Sequence, residues 1–196
     1  MASIDYFFAL NSPWSFMGSE RLAQIAATRK AKVNVHPVKL GAVFDKTGGL
    51  PLPKRAPERQ AYRLMELARW SKWLGIPLVI KPKNFPYDEA EAARLVMAAQ
   101  KSGKDALKLA TEIGRALWER DENPADAVVL DAAAKRAALD ADALRKSLSA
   151  EEAGKQWEQN TQTAISRNVF GAPSYVVGDE VFWGQDRLDF VDRALA

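Results

Sequence analysis

The first readable pattern along the chain is a buried strand. Residues 4–10, IDYFFAL, are β-branched and aromatic, and they stop at the turn signal Asn11-Ser12-Pro13. Helical periodicity follows over 14–28, where Phe16, Leu22, Ile25 and Ala26 share a face. Ser12 is placed to cap that helix. Pro13 takes its first position, where a missing N–H costs nothing. Residues 32–40 alternate Val33, Val35 and Pro37 against Asn34, His36 and Val38. They read as a second strand, with the Pro37 nitrogen facing away from any partner. Strand, helix, strand in so short a span predicts a βαβ unit: a parallel pair with a right-handed crossover.

Residues 41–57 read as a loop, because Gly48-Gly49 and the prolines interrupt regular structure. A helix is predicted over 59–74, with Leu64, Leu67, Trp70 and Leu74 on one side and Gly75 and Pro77 ending it. Further helices are predicted over 88–102 and 105–118, separated by Gly103, and over 126–138 and 142–148, with Asp near their starts. Ser149-Ala-Glu-Glu152 is a capping-box pattern that opens a helix to about Asn168. The helical spacing of Trp70, Trp73 and Trp157 assigns them to the core. Strands at 174–177 and 181–183 flank Gly178-Asp179, a hairpin turn signal. A last helix opens at Asp186-Arg187-Leu188-Asp189 and points Leu188, Val191 and Leu195 inward. The order β-α-β, helical block, α-β-β-α predicts an α/β, thioredoxin-like fold with an inserted all-helical domain. The thioredoxin-like part takes 1–57 and 151–196, and the insertion takes 58–150.

Composition narrows the chemistry. Hydrophobic residues at 47% and charged residues at 27% are ordinary globular values, so composition alone selects no special class. Cys is 0, which excludes disulfides, thiolate metal sites and a cysteine nucleophile. His is 1, which removes a His-rich metal site, so no metal is expected. A net charge of +3, from 28 basic and 25 acidic residues, suits small anionic ligands and gives no case for nucleic acid. The opening MASIDYFFALNSPW carries Asp5 and only a short apolar run, which fits neither a signal peptide nor a span. No apolar stretch approaches the roughly 18 residues a spanning helix needs. The expectation is a cytoplasmic protein without a membrane partner.

Four segments carry candidate chemistry. Ser12-Pro13-Trp14-Ser15 sits where a thioredoxin fold holds its Cys-x-x-Cys pair, with hydroxyls replacing both sulfurs. A hydroxyl there has no redox chemistry, but it can donate to an exogenous thiolate, helped by the helix N-terminus. Equally, Ser-Pro is an ordinary helix cap. Phe170-Gly171-Ala172-Pro173-Ser174 puts Pro173 at the cis-proline position of that fold, where the Ala172 N–H and C=O are free to pair with an extended ligand. The plainer reading is a proline leading a strand. In Trp183-Gly184-Gln185-Asp186-Arg187, Asp186 suits an ammonium and Arg187 a carboxylate. The alternative is Asp186 as a helix cap with Asp189 as its partner. Lys54, Arg55 and Arg59 form a basic stretch that suits a carboxylate, or else a solvated face. His36, beside Pro37, reads as structural, and Asn84-Phe85-Pro86 as a turn without chemistry.

Taken together, DYFFALNSPWSF, PLPKRAPERQAYRLMELARW and FGAPSYVVGDEVFWGQDRLDF resemble the 2-hydroxychromene-2-carboxylate isomerases, relatives of the kappa-class glutathione transferases. The resemblance covers nearly the whole chain and keeps the motifs in family order. It implies a homodimer with glutathione as cofactor. Ser12 matches the family's active serine, Ala172 the position before the cis-proline, and Asp186 and Arg187 the pair at the γ-glutamyl end. Arg59 matches a basic residue near the glycyl carboxylate. The implied reaction is reversible thiolate addition to an aromatic enone acid, with Lys54 and Arg55 as candidates for the substrate carboxylate. The chain departs from the family pattern at Gly49-Leu50 and Pro53-Lys54, where relatives tend to carry Gly-Asn and an Asn before the basic residue. Two alternatives stand beside the isomerase: a kappa-like transferase that consumes glutathione on electrophiles, and a redox-inactive thioredoxin-fold binding module.

Overall fold

The computed structural model describes residues 2–196. Strand β1 is Ser3–Phe8, helix α1 is Pro13–Arg29 and strand β2 is Lys32–Pro37. Helix α2 is Leu40–Thr47, a 3-10 turn covers Leu52–Lys54, and α3 is Pro57–Leu74. Then come α4 (Ala90–Lys101), α5 (Ala106–Trp118), α6 (Ala127–Arg136), α7 (Ala141–Ser147) and α8 (Ala150–Ser166). Strands β3 (Ser174–Val177) and β4 (Glu180–Trp183), a 3-10 turn at Gln185–Arg187, and α9 (Leu188–Ala194) close the chain.

The strands form one sheet in the order β2-β1-β3-β4. β1 and β2 are parallel, with Ile4 opposite Val33 and Phe8 opposite Pro37. β1 runs antiparallel to β3, and β3 to β4. Alternation along β1 splits the core. Ile4, Tyr6 and Phe8 join the larger cluster with residues of α1, α4 and α5, while Phe7 joins Val43, Ala164 and Val176 in a smaller one beneath α2 and α8. β2 is an edge strand, and the Pro37 nitrogen is harmless there. Its outer backbone is covered by side chains. Gln100 of α4 accepts from the Val35 N–H at 2.8 Å and donates to the Val35 carbonyl at 3.2 Å, and Asn160 of α8 donates to the Pro37 carbonyl at 3.2 Å.

Two expectations need correction. Residues 40–47 are helical rather than part of a loop. Leu40, Val43 and Phe44 recur at helical spacing, and Gly48 ends the turn in the left-handed conformation at φ 78°. Trp73 is not core: it is 81% exposed. It lies about 120° around α3 from the buried Leu67 at 100° per residue, so it misses the packed face. Trp70 and Trp157 are half-buried against the larger cluster.

Candidate active site

Register brings three of the sequence motifs to one end of the sheet. Phe7 pairs with Ser174 and Ser174 with Trp183. Ala172 and Pro173 therefore lie beside the C-terminal end of β1, from which residues 9–11 lead to Ser12. Gly184 to Arg187 leave β4 at that same end, and the Gly184 N–H donates to the Pro173 carbonyl at 2.9 Å. The Ala172–Pro173 peptide is cis. Neither the N–H nor the C=O of Ala172 has a backbone partner among the described residues.

Ser12 is the N-cap of α1. Its Oγ accepts from the Ser15 N–H at 3.2 Å, and its carbonyl accepts from the Phe16 N–H at 3.1 Å. The capping bond uses a lone pair and leaves the hydroxyl proton free, and that proton has no acceptor among the described residues. Ser12 is 8% exposed, so the donor sits at a nearly dry position on the positive end of a 17-residue helix. Beneath it the Ser15 Oγ is buried without a partner, and the Tyr6 hydroxyl donates to the Ser15 carbonyl at 3.2 Å.

Gly18 lets the β4–α9 turn dock on α1. A Cβ there would stand 2.7 Å from the Tyr175 Oη and 2.9 Å from the Gln185 Cβ. Gly184 adopts φ 104°, which only glycine takes readily, and this directs the chain into the 3-10 turn holding Asp186 and Arg187. Asp186 does not cap α9. The N-cap of that helix is Arg187, without a side-chain bond, and the Asp186 carboxylate instead accepts from the Arg187 guanidinium at 2.7 Å. Trp183 packs edge-on to Phe170 with ring centroids 4.9 Å apart, and its indole lies over Gly171. The two rings form a partly exposed aromatic rim beside Ala172.

The basic stretch lies on a different segment. Lys54 and Arg59 are exposed and make no ion pair among the described residues, while Arg55 Nε donates to the Leu50 carbonyl at 2.7 Å and faces the Phe44 ring. Burial and the neighbouring Arg59 lower the Arg55 guanidinium below its ordinary value. Sequence reading missed Arg63. It is half-buried, pairs with no acid among the described residues, and lies 5.5 Å from the Phe85 ring centre. Burial and then Arg55 push it down to about 10. The repeat Arg55, Arg59, Arg63 at four-residue spacing, with Glu58 the one acid among them, was the available signal. Phe85 connects this cluster toward Ser12. Two residues on, the Tyr87 carbonyl accepts from Asn11 Nδ2 at 2.9 Å, and the Tyr87 N–H donates to Asn11 Oδ1 at 3.1 Å. Glu89 also accepts from the Asn11 N–H, and burial raises its carboxyl to about 7. His36 is bound up elsewhere, 3.1 Å from Asp5 and stacked on Phe7.

Comparison with known proteins bears on the family and the fold. The chain is 27% identical to a 2-hydroxychromene-2-carboxylate isomerase of Pseudomonas putida over 98% of this chain and 93% of that protein. It is 23% identical to the glutathione S-transferase kappa 1 of Rattus norvegicus, over 96% and 88%. The solved structure of a 2-hydroxychromene-2-carboxylate isomerase superposes with a TM-score of 0.83 at 25% identity, covering 98% of this chain and 94% of that one. The resemblance read from the motifs, and the thioredoxin-like fold with its helical insertion, are borne out. The family profile described as DSBA-like thioredoxin domain matches residues 3–196, and the chain belongs to that family of DsbA-like thioredoxin domains.

Proposed function

We propose that the protein is a glutathione-dependent cis-trans isomerase of the 2-hydroxychromene-2-carboxylate isomerase type, acting on an aromatic enone acid in aromatic catabolism. One observation carries the reading: the Ser12 hydroxyl has its oxygen engaged as a cap and its proton uncommitted, at a helix N-terminus where a redox thioredoxin would carry sulfur. A chain with Cys 0 cannot supply a thiol, so thiol chemistry at that position must come from a ligand.

The residues present fit glutathione. Ser12 would donate to its sulfur and stabilise the thiolate, with the α1 N-terminus adding to the field. The unpaired backbone groups of Ala172, ahead of Pro173, would take the cysteinyl part in strand-like pairing. Asp186 and Arg187 would exchange their mutual pairing for the ammonium and carboxylate of the γ-glutamyl end. Arg59 would meet the glycyl carboxylate. When bound, glutathione supplies a nucleophile that adds reversibly to the conjugated carbon and returns unchanged. Lys54 and Arg55, backed by Arg63, would hold the substrate carboxylate and steady negative charge developing on the enone oxygen. Ser12 keeps its proton throughout and acts as a donor, not as the attacking atom.

The protein is incubated with glutathione and a hydroxychromene carboxylate while isomer and free thiol are followed together. Isomer formed at constant free thiol is the expected result. Loss of thiol in step with substrate would replace the isomerase with a kappa-like transferase, a reading favoured by similarity to the rat enzyme. No glutathione binding by calorimetry would leave a binding module. The proposal includes a homodimer, checked by sedimentation, a cytoplasmic setting, and the division of the chain into 1–57 with 151–196 and an inserted 58–150.

A further inference from the structure

Glu89 stands immediately before α4, and its carboxylate accepts from the backbone N–H of Asn11, the residue before Ser12. The Asn11 side chain is gripped by the same segment, donating to the Tyr87 carbonyl and accepting from the Tyr87 N–H. Three hydrogen bonds thus tie residues 87–89 to the Ser12 turn across more than seventy positions of sequence. No other hydrogen bond among the described residues holds the Asn11 N–H, since the Ala9 carbonyl at this turn takes the Ser12 N–H instead.

A carboxyl is an expensive acceptor at such a place. The amide oxygen of Gln would accept the same bond without a charge to desolvate. The titratable groups facing Glu89 are Asp88 on its own segment and the buried Tyr87 phenol; the Ser12 turn presents only the neutral Asn11. No cation among the described residues offsets it. Burial accordingly holds its midpoint at about 7, inside the working range of a thiol at an activating site. When ionised, its charge stands one residue from the hydroxyl that the proposed function assigns to a thiolate. Like charges in one site oppose each other's ionisation and titrate as a pair.

We propose that Glu89 is a positioning residue for the Ser12 turn, and that its protonation is coupled to the ionisation of the anion held at Ser12. The coupling half rests on the proposed function; the positioning half does not. Near neutral pH the balance is simple. As the bound thiol releases its proton, the Glu89 carboxylate takes one up, and the pair keeps a single negative charge.

Two measurements test this. Amide exchange at Asn11 is compared by NMR in the unliganded wild type, Glu89→Gln and Glu89→Ala. Gln should keep the protection within a few-fold, and Ala should lose about tenfold or more, as expected for a lost acceptor. Equal protection in Glu89→Ala overturns the positioning role. Should Glu89→Ala not fold, Glu89→Met, which keeps the length but offers no oxygen acceptor, replaces it, and protection equal to the wild type there overturns the positioning role. Second, the carboxyl carbon of Glu89 is titrated by isotope-edited NMR in the wild type, alone and with saturating glutathione. Its midpoint should rise on binding, and the thiolate absorbance of bound glutathione in Glu89→Gln should titrate about one pH unit lower than in the wild type, a tenfold change in ionisation. An unmoved Glu89 midpoint with glutathione bound overturns the coupling alone. Absence of glutathione binding to the wild type overturns the proposed function and the coupling with it, while Asn11 exchange still decides the positioning role.

Discussion

Under the proposed function Ser12 has two tasks for separate parts of one hydroxyl, and substitutions can separate them. Its oxygen caps α1 through the Ser15 N–H, and its proton faces no acceptor among the described residues. Ser12→Ala removes both: unfolding free energy should drop by about 1 kcal/mol for the lost cap. Catalytic efficiency should drop about a hundredfold for the lost donor. Ser12→Asp keeps a good capping acceptor and adds a favourable charge at the helix N-terminus, yet has no proton to donate at neutral pH. Its urea midpoint should match or exceed that of the wild type while turnover is lost. Activity retained in Ser12→Asp would remove the donor from the mechanism. The serine itself was legible, because Ser-Pro after an apolar run marks a strand–helix junction whatever the fold. Its free proton was not, since a hydroxyl's direction depends on which neighbours remain unpaired. Asn11 and Glu89 were equally silent in sequence: their bond spans 78 positions, and no local pattern encodes it.

At the scale of elements, caps and glycines did most to make the helices readable. The Ser149–Glu152 capping box is present with both reciprocal bonds, and α8 begins where that pattern placed it. Helix α2 was hidden because it spans only eight residues and is followed by glycine and proline, so punctuation outweighed a short periodic signal. How elements dock was not readable at all. Gly18 looks like a weak point inside α1, yet it allows Tyr175 and Gln185 to approach the helix. Gly18→Ala gains helix propensity but must move β3 or the Asp186 turn, so a net loss of about 1–3 kcal/mol is expected from overpacking. Chemical denaturation checks the stability, and glutathione affinity should weaken with it because the Asp186–Arg187 turn shifts. At the opposite edge, Gln100→Leu would strip the bonds from the Val35 N–H and carbonyl. A loss of about 1–3 kcal/mol follows from the orphaned backbone groups, with faster amide exchange at Val35.

Over the whole molecule, the order of elements was legible and the meeting of distant segments was not. Strand and helix signals ordered the chain, but only the register Phe7–Ser174–Trp183 puts Ser12, Ala172 and Asp186 at one sheet end. The same long-range packing shapes how stability responds to pH, as two carboxyl groups shifted in opposite directions illustrate. For Asp5, burial raises the carboxyl, but hydrogen bonds from His36 and Asn34 and the charge of Arg167 outweigh it and leave a net depression. The unfolded chain then binds more protons in acid, so stability from Asp5 is present above the ordinary carboxylate range and is lost as pH falls through it. For Glu89, burial raises the folded value to about 7 from 4.5. Between those values the folded state holds a proton that the unfolded chain has released, so stability falls as pH rises through that window. Both effects favour mildly acidic solution, Asp5 against stronger acid and Glu89 against neutrality. Urea midpoints measured across this range should decline from mildly acidic to neutral pH in the wild type. Glu89→Gln, which cannot ionise, should make that decline shallower, and Asp5→Asn should make the acid limb shallower while leaving the neutral one intact. A Glu89→Gln curve parallel to the wild type between the two Glu89 values would mean that the carboxyl is solvated rather than buried against the Ser12 turn.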